Sequence, residues 1–287
     1  MDIFTSQLIN GLSVSSTLFI SAIGLVIIFG LLDVVNMAHG EFIMIGAYFA
    51  YFTSTVLKLP FAVSIIASFI FTAILGIIIE TLLIKRLYGK VPETLLATFA
   101  LSYIFQQIIK MIFGPEDKFV GNPLEGSLKF GDVVIPYYNI FLVAIAVIIL
   151  LVTLALFFKT TFGMQIRAIT RNRSMSQCLG LNTARIDTLT FAYGSGLAGV
   201  AGALLAPVKS VMPSMGIGYQ VDGFLTVTLG GLNSIIGAFT SSFVISESVT
   251  LMSGYISEIT AKILVFMLII ILIRFKPEGL FALKERR

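Results

Sequence analysis

A short polar cluster between two apolar stretches contains the residues of this chain best suited to chemistry. Asn36, His39 and Glu41 lie within DVVNMAHGEFIMIGAY, the segment 33–48. Asn36 stands three residues before His39 and four before Gly40, so on a helix these residues share one face. Such a face can line a polar cavity. The alternative is that the same side chains cap and hydrogen-bond a broken helix end without touching a solute.

A second polar interruption follows the glycine pair Gly230-Gly231, where Asn233 and Ser234 have the same two interpretations. Glycine-interrupted segments in the two halves of a transporter point to a mid-membrane translocation site, because unwound backbone there can face a cavity. We therefore predict a solute pathway formed by Asn36, His39, Gly40, Glu41, Gly230, Gly231, Asn233 and Ser234.

The sequence does not provide the residues that catalysis needs. It has one histidine, no cluster with metal-ligand spacing and no G-x-S-x-G motif. Gly89-Lys90 is followed by Val91, so there is no phosphate-binding G-x-x-x-x-G-K-[ST] loop. We predict a protein that is not an enzyme, binds no cofactor or metal, and takes any energy of ATP from another subunit. The single cysteine, Cys178, is expected to be a buried small residue.

The composition excludes an ordinary soluble fold. The chain is 57% hydrophobic and 12% charged, whereas soluble domains have about a quarter charged residues. Its mean hydropathy is +1.01. Roughly 20 apolar residues span the hydrocarbon core. We predict an all-α polytopic membrane protein, one integral domain over 1–287, with hydrophobic segments near 8–32, 36–57, 61–84, 94–113, 139–158, 188–207, 223–245 and 258–273.

The charged residues between these segments predict the orientation. Basic residues collect after 84, after 158 and after 273, and the positive-inside rule places these stretches in the cytoplasm. The acidic stretch 114–136 then lies outside, as does the N-terminus. An outside N-terminus and an inside C-terminus require an odd number of crossings, so at least one of the eight segments must be broken or re-entrant. Segment 223–245, which contains the glycine pair, is the best candidate.

Two further segments have distinctive patterns. The stretch 188–207 has rows of small residues four apart, such as Gly194, Ala198 and Gly202, which allow close helix packing in lipid. The cytoplasmic stretch 159–187 mixes basic residues with apolar ones, and on a helix the apolar ones could form an intermittent face of Ile166, Ile169, Met175 and Leu179. It is either a solvated loop that only sets topology, or a short surface helix that docks into a partner protein.

The chain resembles a known family over nearly its full length, the permease subunits of branched-chain amino acid ABC importers and, more closely, of urea ABC importers. The family pattern comprises 36–41 (NMAHGE), 46–48 (GAY), Gly163-Met164 with Arg167-Ala168, 179–183 (LGLNT) and 229–231 (LGG). The urea-type features are 194–202 (GSGLAGVAG), 219–222 (YQVD) and the tail 277–284 (PEGLFALK).

This resemblance implies an importer in the bacterial cytoplasmic (inner) membrane, built from two homologous permeases, two cytoplasmic ATP-binding subunits and an external solute-binding protein. Membrane lipid surrounds it, and nucleic acid is not a partner. The stretch 163–181 looks like the helix that couples a permease to its ATPase. The coupling residues implied are Gly163, Arg167, Ala168, Arg171, Met175, Leu179, Gly180 and Leu181.

The prediction for the transported solute is urea or a short-chain amide. A neutral diamide needs hydrogen-bonding groups, which Asn36, Asn233 and Ser234 supply, whereas these segments show no paired charges for an amino-acid zwitterion. The alternatives are a branched-chain amino acid importer, a secondary transporter or channel that needs no ATPase, and a membrane scaffold.

Overall fold

The computed structural model describes residues 2–32, 34–130, 133–276 and 279–280, and within these ranges the backbone forms eleven α-helices and one β-hairpin. Apolar runs become helices because hydrocarbon offers no other partner for the backbone polar groups. The helices are α1 (Asp2–Leu32), α2 (His39–Tyr51), α3 (Phe61–Leu82), α4 (Val91–Phe113), α5 (Tyr137–Lys159), α6 (Thr161–Arg171), α7 (Arg173–Cys178), α8 (Thr183–Leu205), α9 (Met215–Gly230), α10 (Ile235–Ser253) and α11 (Glu258–Phe275).

Within the described ranges, six helical stretches are long and apolar enough to cross a membrane. They are Asn10–Leu32, Phe61–Arg86, Val91–Phe113, Tyr137–Lys159, Thr183–Leu205 and Ile235–Ser253. Helices α2 and α9 are shorter, at 13 and 16 residues, and α11 is apolar but contains Glu258, Lys262 and Arg274. The predicted all-α polytopic membrane fold is confirmed.

Segment 223–245 is two helices rather than one. Helix α9 ends at Gly230, α10 begins at Ile235, and Gly231 between them has a φ of 96° that favours glycine. The break predicted at the glycine pair is therefore present. Besides the six spans, the described residues contain the further helical segments α2, α9 and α11, and the number of crossings and the orientation stay predictions.

Hydrogen bonds hold basic segments at one end of the helix bundle, called the cytoplasmic end after the orientation predicted from the sequence. The Thr170 hydroxyl donates to the carbonyl of Leu31 at the end of α1, and the Leu280 N–H donates to the carbonyl of Leu229 at the end of α9. The opposite, outer end has the antiparallel strands β1 (Ser127–Phe130) and β2 (Val133–Pro136). There Lys118 pairs with Val211 through the backbone.

Helix α8 lies at the centre of the bundle, in contact with α1, α2 and α3. Its glycines are required, because a Cβ at Gly194, Gly199 or Gly202 would overlap Ile28, Thr72 or the carbonyl of Ile43, respectively. In the most apolar 18-residue stretch of α8, 83% is buried, against 22% in the corresponding stretch of the peripheral α5. The small-residue rows predicted to pack helices closely do so within this chain.

Candidate functional site

The chain enters α2 through a hydrogen-bonded joint with α9. Residues 34–38 are not helical, and α2 starts at His39. The Gln220 side chain of α9 accepts the N–H of Gly40 at 2.5 Å and donates to the carbonyl of Asn36 at 2.9 Å. Gly40 lies directly against Gly216 of α9. Because a buried backbone group without a partner costs free energy, Gln220 stabilises the irregular entry into α2.

His39 and Glu41 connect the same joint to α1 and α4. His39 Nε2 lies 3.1 Å from the Ser21 carbonyl, and because a carbonyl only accepts, the proton is on Nε2. Glu41 Oε1 accepts from the Ser102 hydroxyl at 2.9 Å and from the Gln106 amide at 2.8 Å. These contacts place residues from four helices in one polar cluster.

The polar cluster of 36–41 is closed in this conformation. Asn36, His39 and Glu41 are 1%, 0% and 2% exposed. The Asn36 side chain accepts the N–H of Ala38 at 3.0 Å. This geometry corresponds to the alternative of a hydrogen-bonded helix start rather than to a cavity-facing stripe, so the pathway assignment of these residues stays a prediction.

The second predicted pathway segment, 230–234, lies at the cytoplasmic end. Ser234 caps α10 by accepting the N–H of Gly237 at 2.9 Å. Gly230 packs on Gly237, and Gly30 of α1 lies directly against the carbonyl of Leu232. Asn233 is exposed. Segments 36–41 and 230–234 therefore have different surroundings. Segment 36–41 contacts α9 and α4, whereas segment 230–234 lies against the end of α1.

A cavity of about 480 Å³ lies in the outer half of the bundle. It opens between the outer parts of α1, α5 and α8 and those of α9, α10 and α11. Lys262 Nζ and Asp222 Oδ2 form an ion pair of 2.8 Å in its wall. The wall combines charged, polar and apolar groups, among them Leu18, Lys209, Gly218, Asp222, Ser246, Val249, Glu258, Lys262 and Phe266.

None of the eight predicted pathway residues lines this cavity. The sequence analysis missed its charged pair because Asp222 and Lys262 are 40 residues apart and only α9 packing beside α11 joins them. One signal was available: Asp222 borders the apolar segment 223–245 and Lys262 lies within segment 258–273, and an unpaired charge inside the membrane costs about 2.5–3.5 kcal/mol.

The segment 161–182, predicted to be cytoplasmic, forms two short helices, α6 and α7, that are attached firmly to the bundle. Thr160 caps α6 by accepting the N–H of Gly163 at 3.1 Å. A Cβ at Gly163 would overlap the carbonyls of Leu156 and Phe157, so α6 packs closely on the end of α5. Arg167 lies over the ring of Phe158, with its Cζ atom 5.3 Å from the ring centroid.

The two faces of this segment differ. Ile166 and Ile169 are buried against the bundle, Ala168 is half-buried, and Leu181 packs at the edge of the core. The exposed residues of this segment include Arg171 and Gly180. Met164, Met175 and Leu179 are exposed as well, with Leu179 at 76% of its accessible area. The apolar residues that the sequence suggested as one face thus divide between the core and the surface. Cys178, expected to be buried, is exposed.

A polar network joins α7 to the bundle. Arg173 pairs with the buried Asp187 at the base of α8 and lies over the ring of Tyr88. The Tyr88 hydroxyl donates to Glu80 at 3.3 Å, and the Thr188 hydroxyl donates to the same carboxylate at 2.6 Å. Burial, with the charges of Asp187 and Glu80, raises the pKa of Tyr88, so its phenol stays protonated as a donor. A movement of α7 would therefore reach α3 and α8 together.

Comparisons with known proteins agree with this architecture. The family described as branched-chain amino acid transport system / permease component matches residues 7–273. The chain belongs to this family, and the prediction of a multi-pass inner-membrane permease is confirmed.

The relatives are similar over nearly the whole chain. The high-affinity branched-chain amino acid transport system permease protein BraD of Pseudomonas aeruginosa is 28% identical over 98% of this chain and 97% of its own. The high-affinity branched-chain amino acid transport system permease protein LivH of Escherichia coli K12 is 28% identical over 98% of this chain and 96% of its own. The probable branched-chain amino acid transport permease protein LivH of Methanocaldococcus jannaschii is 30% identical over 85% of this chain and 79% of its own. No solved structure matches.

Proposed function

We propose that this chain is a permease subunit of an ATP-driven importer for branched-chain amino acids. The observation that carries the proposal is the similarity over 98% of the chain to permeases named for that transport. The complex would contain a second homologous permease, two cytoplasmic ATP-binding subunits and an external solute-binding protein. Any ATP hydrolysis would take place in those other subunits.

Branched-chain amino acids are better supported than the urea or short-chain amide predicted from sequence, because BraD and both LivH proteins are named for branched-chain amino acids. The urea-type residues also have structural roles. Segment 194–202 packs α8 against its neighbours, Gln220 stabilises the start of α2, and Asp222 pairs with Lys262. The tail 277–284 lies mostly outside the described residues.

The segment 161–182 is suited to receive the ATPase. Its exposed surface combines apolar side chains, Met164, Met175 and Leu179, with the cation of Arg171. An exposed apolar patch beside a charge is typical of a protein contact. Its other face is fixed to α1, α5 and α8. A shift driven by ATP would therefore move several helices as a unit, which is what alternating access requires.

We infer that segments 36–41 and 230–234 move when the solute pathway opens. Both are irregular backbone segments that join helices, with glycines at close approaches, so rearrangement there can reorient α2, α9 and α10. In the closed conformation the residues of 36–41 are packed. They would contact solute only in another state of the cycle.

The complex isolated in mild detergent tests this proposal. We expect ATP-binding subunits to co-purify with the chain, and ATP hydrolysis to rise when the binding protein is loaded with leucine, isoleucine or valine but not with urea. A chain that moves solute without any co-purifying ATPase would instead be a secondary transporter or channel. Stimulation by urea alone would restore the urea assignment.

A further inference from the structure

The outer cavity has the chemistry of an α-amino acid site. Its wall contains two cations, Lys209 and Lys262, and two carboxylates, Asp222 and Glu258. Apolar side chains lie beside them, among them Leu18, Val249 and Phe266. Its volume of about 480 Å³ falls within the range of about 300–1,000 Å³ typical of small-molecule sites.

One polar group in the wall is without a partner. The Ser246 hydroxyl is buried, and among the described residues no hydrogen-bond partner reaches it. Buried hydroxyls are normally paired, so the polar groups of this part of the wall are not all satisfied in the conformation described. Ser246 lies on α10 and lines the same cavity as Glu258 and Lys262 of α11.

We propose that this cavity binds the branched-chain amino acid within the permease, with the ligand inserted into the Asp222–Lys262 ion pair. The inference rests on the proposed function and assigns it a site. Lys262 binds the α-carboxylate and Asp222 binds the α-ammonium group. The branched side chain lies against Leu18, Val249 and Phe266.

The ion pair explains why the site selects a zwitterion. Lys262 and Asp222 lie 2.8 Å apart within helices α11 and α9, so separating them exposes two charges of opposite sign. A ligand with both charges restores a partner to each. A neutral ligand such as urea leaves each charge with a neutral hydrogen-bond partner, a weaker interaction than the one between opposite charges. A ligand with a single charge leaves one of them unpaired.

Gly218 offers a position for a probe in this cavity. It lines the wall, and a Cβ built there meets no atom within 4 Å, so a cysteine fits without strain. The test uses Gly218→Cys on a Cys178→Ser background, in right-side-out vesicles containing the whole complex, modified by a small water-soluble methanethiosulfonate. The matched control is Gly121→Cys, which is exposed on the outer segment and also has no atom within 4 Å of its Cβ.

Leucine is expected to protect Gly218→Cys and not Gly121→Cys. The labelling rate should fall by the factor 1 + [leucine]/Kd, so it should drop about tenfold at ten times the half-protecting concentration of leucine. Urea, 4-methylpentanoate, which lacks the ammonium group, and 3-methylbutylamine, which lacks the carboxylate, are expected to leave the rate unchanged. Labelling that is insensitive to leucine, or protection by urea equal to that by leucine, overturns the proposal.

Substitution of the ion pair provides the second arm. Asp222→Asn and Lys262→Met are expected to abolish protection by leucine while labelling without ligand stays normal. If either fails to assemble, Asp222→Glu and Lys262→Arg serve instead, and they are expected to protect at a higher leucine concentration. Unchanged protection in whichever pair assembles contradicts the assignment of these residues.

This experiment can fail separately from the proposed function, because protection needs no transport. Leucine uptake by the complex without protection at Gly218→Cys rejects the site and leaves the proposed function standing. Protection without ATP-dependent uptake supports the site and rejects the importer.

Discussion

Vesicles whose complex carries Gly40→Leu are expected to accumulate no solute, and the purified variant should unfold well below the wild-type temperature. A side chain at Gly40 would overlap the carbonyl of Gly216, a backbone atom that cannot swing aside. It would also push Gln220 away from the two backbone groups that it satisfies. The expected cost is at least about 3 kcal/mol, the upper range for an overpacked core. Thermal unfolding in detergent and solute uptake measure the two effects.

Gly121→Leu is the control for this prediction, because nothing lies within 4 Å of a Cβ at Gly121. It should unfold and transport like the wild type. If Gly40→Leu also kept normal unfolding and uptake, the close contact between α2 and α9 would not be present in the working protein.

In the assembled complex, Arg173→Glu is expected to reduce solute-stimulated ATP hydrolysis by at least about tenfold, the equivalent of 1.4 kcal/mol. The substitution removes the ion pair with Asp187 and places two carboxylates next to each other at the base of α8. Breaking a fully buried pair costs about 3–5 kcal/mol, and the effect here is smaller because the Arg173 side chain is 43% exposed. The measurement is the ratio of stimulated to basal ATP hydrolysis.

The double variant Arg173→Glu with Asp187→Arg restores opposite charges and should recover part of the stimulation. The amount of ATPase that co-purifies should stay normal in both variants, since the side chains proposed to contact the ATPase, Met164, Arg171, Met175 and Leu179, are unchanged. Normal stimulation in the single variant would mean that the network of Arg173, Tyr88 and Glu80 does not transmit the movement of α7.

The sequence was sufficient for the fold because its dominant signals are local. Charge-free runs of about 20 residues predict spanning helices. Rows of small residues predicted the packing of α8, and Gly230-Gly231 predicted the break between α9 and α10. The exact division of the apolar runs into separate helices was harder to predict. The 223–245 run is apolar on both sides of the glycines, so hydropathy alone cannot distinguish one re-entrant segment from two helices.

The candidate sites were less predictable because they depend on contacts between distant residues. Helical spacing would place Asn36 and Gly40 on one face, but residues 34–38 are not helical. The sequence also could not show that Gln220, 180 residues after Gly40, binds the backbone of both residues. Nor could it show that Asp222 and Lys262 meet in a cavity. Substrate identity was the weakest inference. Most of the residues that suggested urea pack α8 against its neighbours or stabilise the start of α2, roles that any solute specificity could accommodate.

The most direct test of the account is uptake of labelled leucine and labelled urea by vesicles that contain the whole complex with its own binding protein. We expect leucine to accumulate only when ATP is supplied, isoleucine and valine to compete with it, and urea not to accumulate. ATP-dependent accumulation of urea without leucine, or leucine uptake that persists without ATP, would contradict the account.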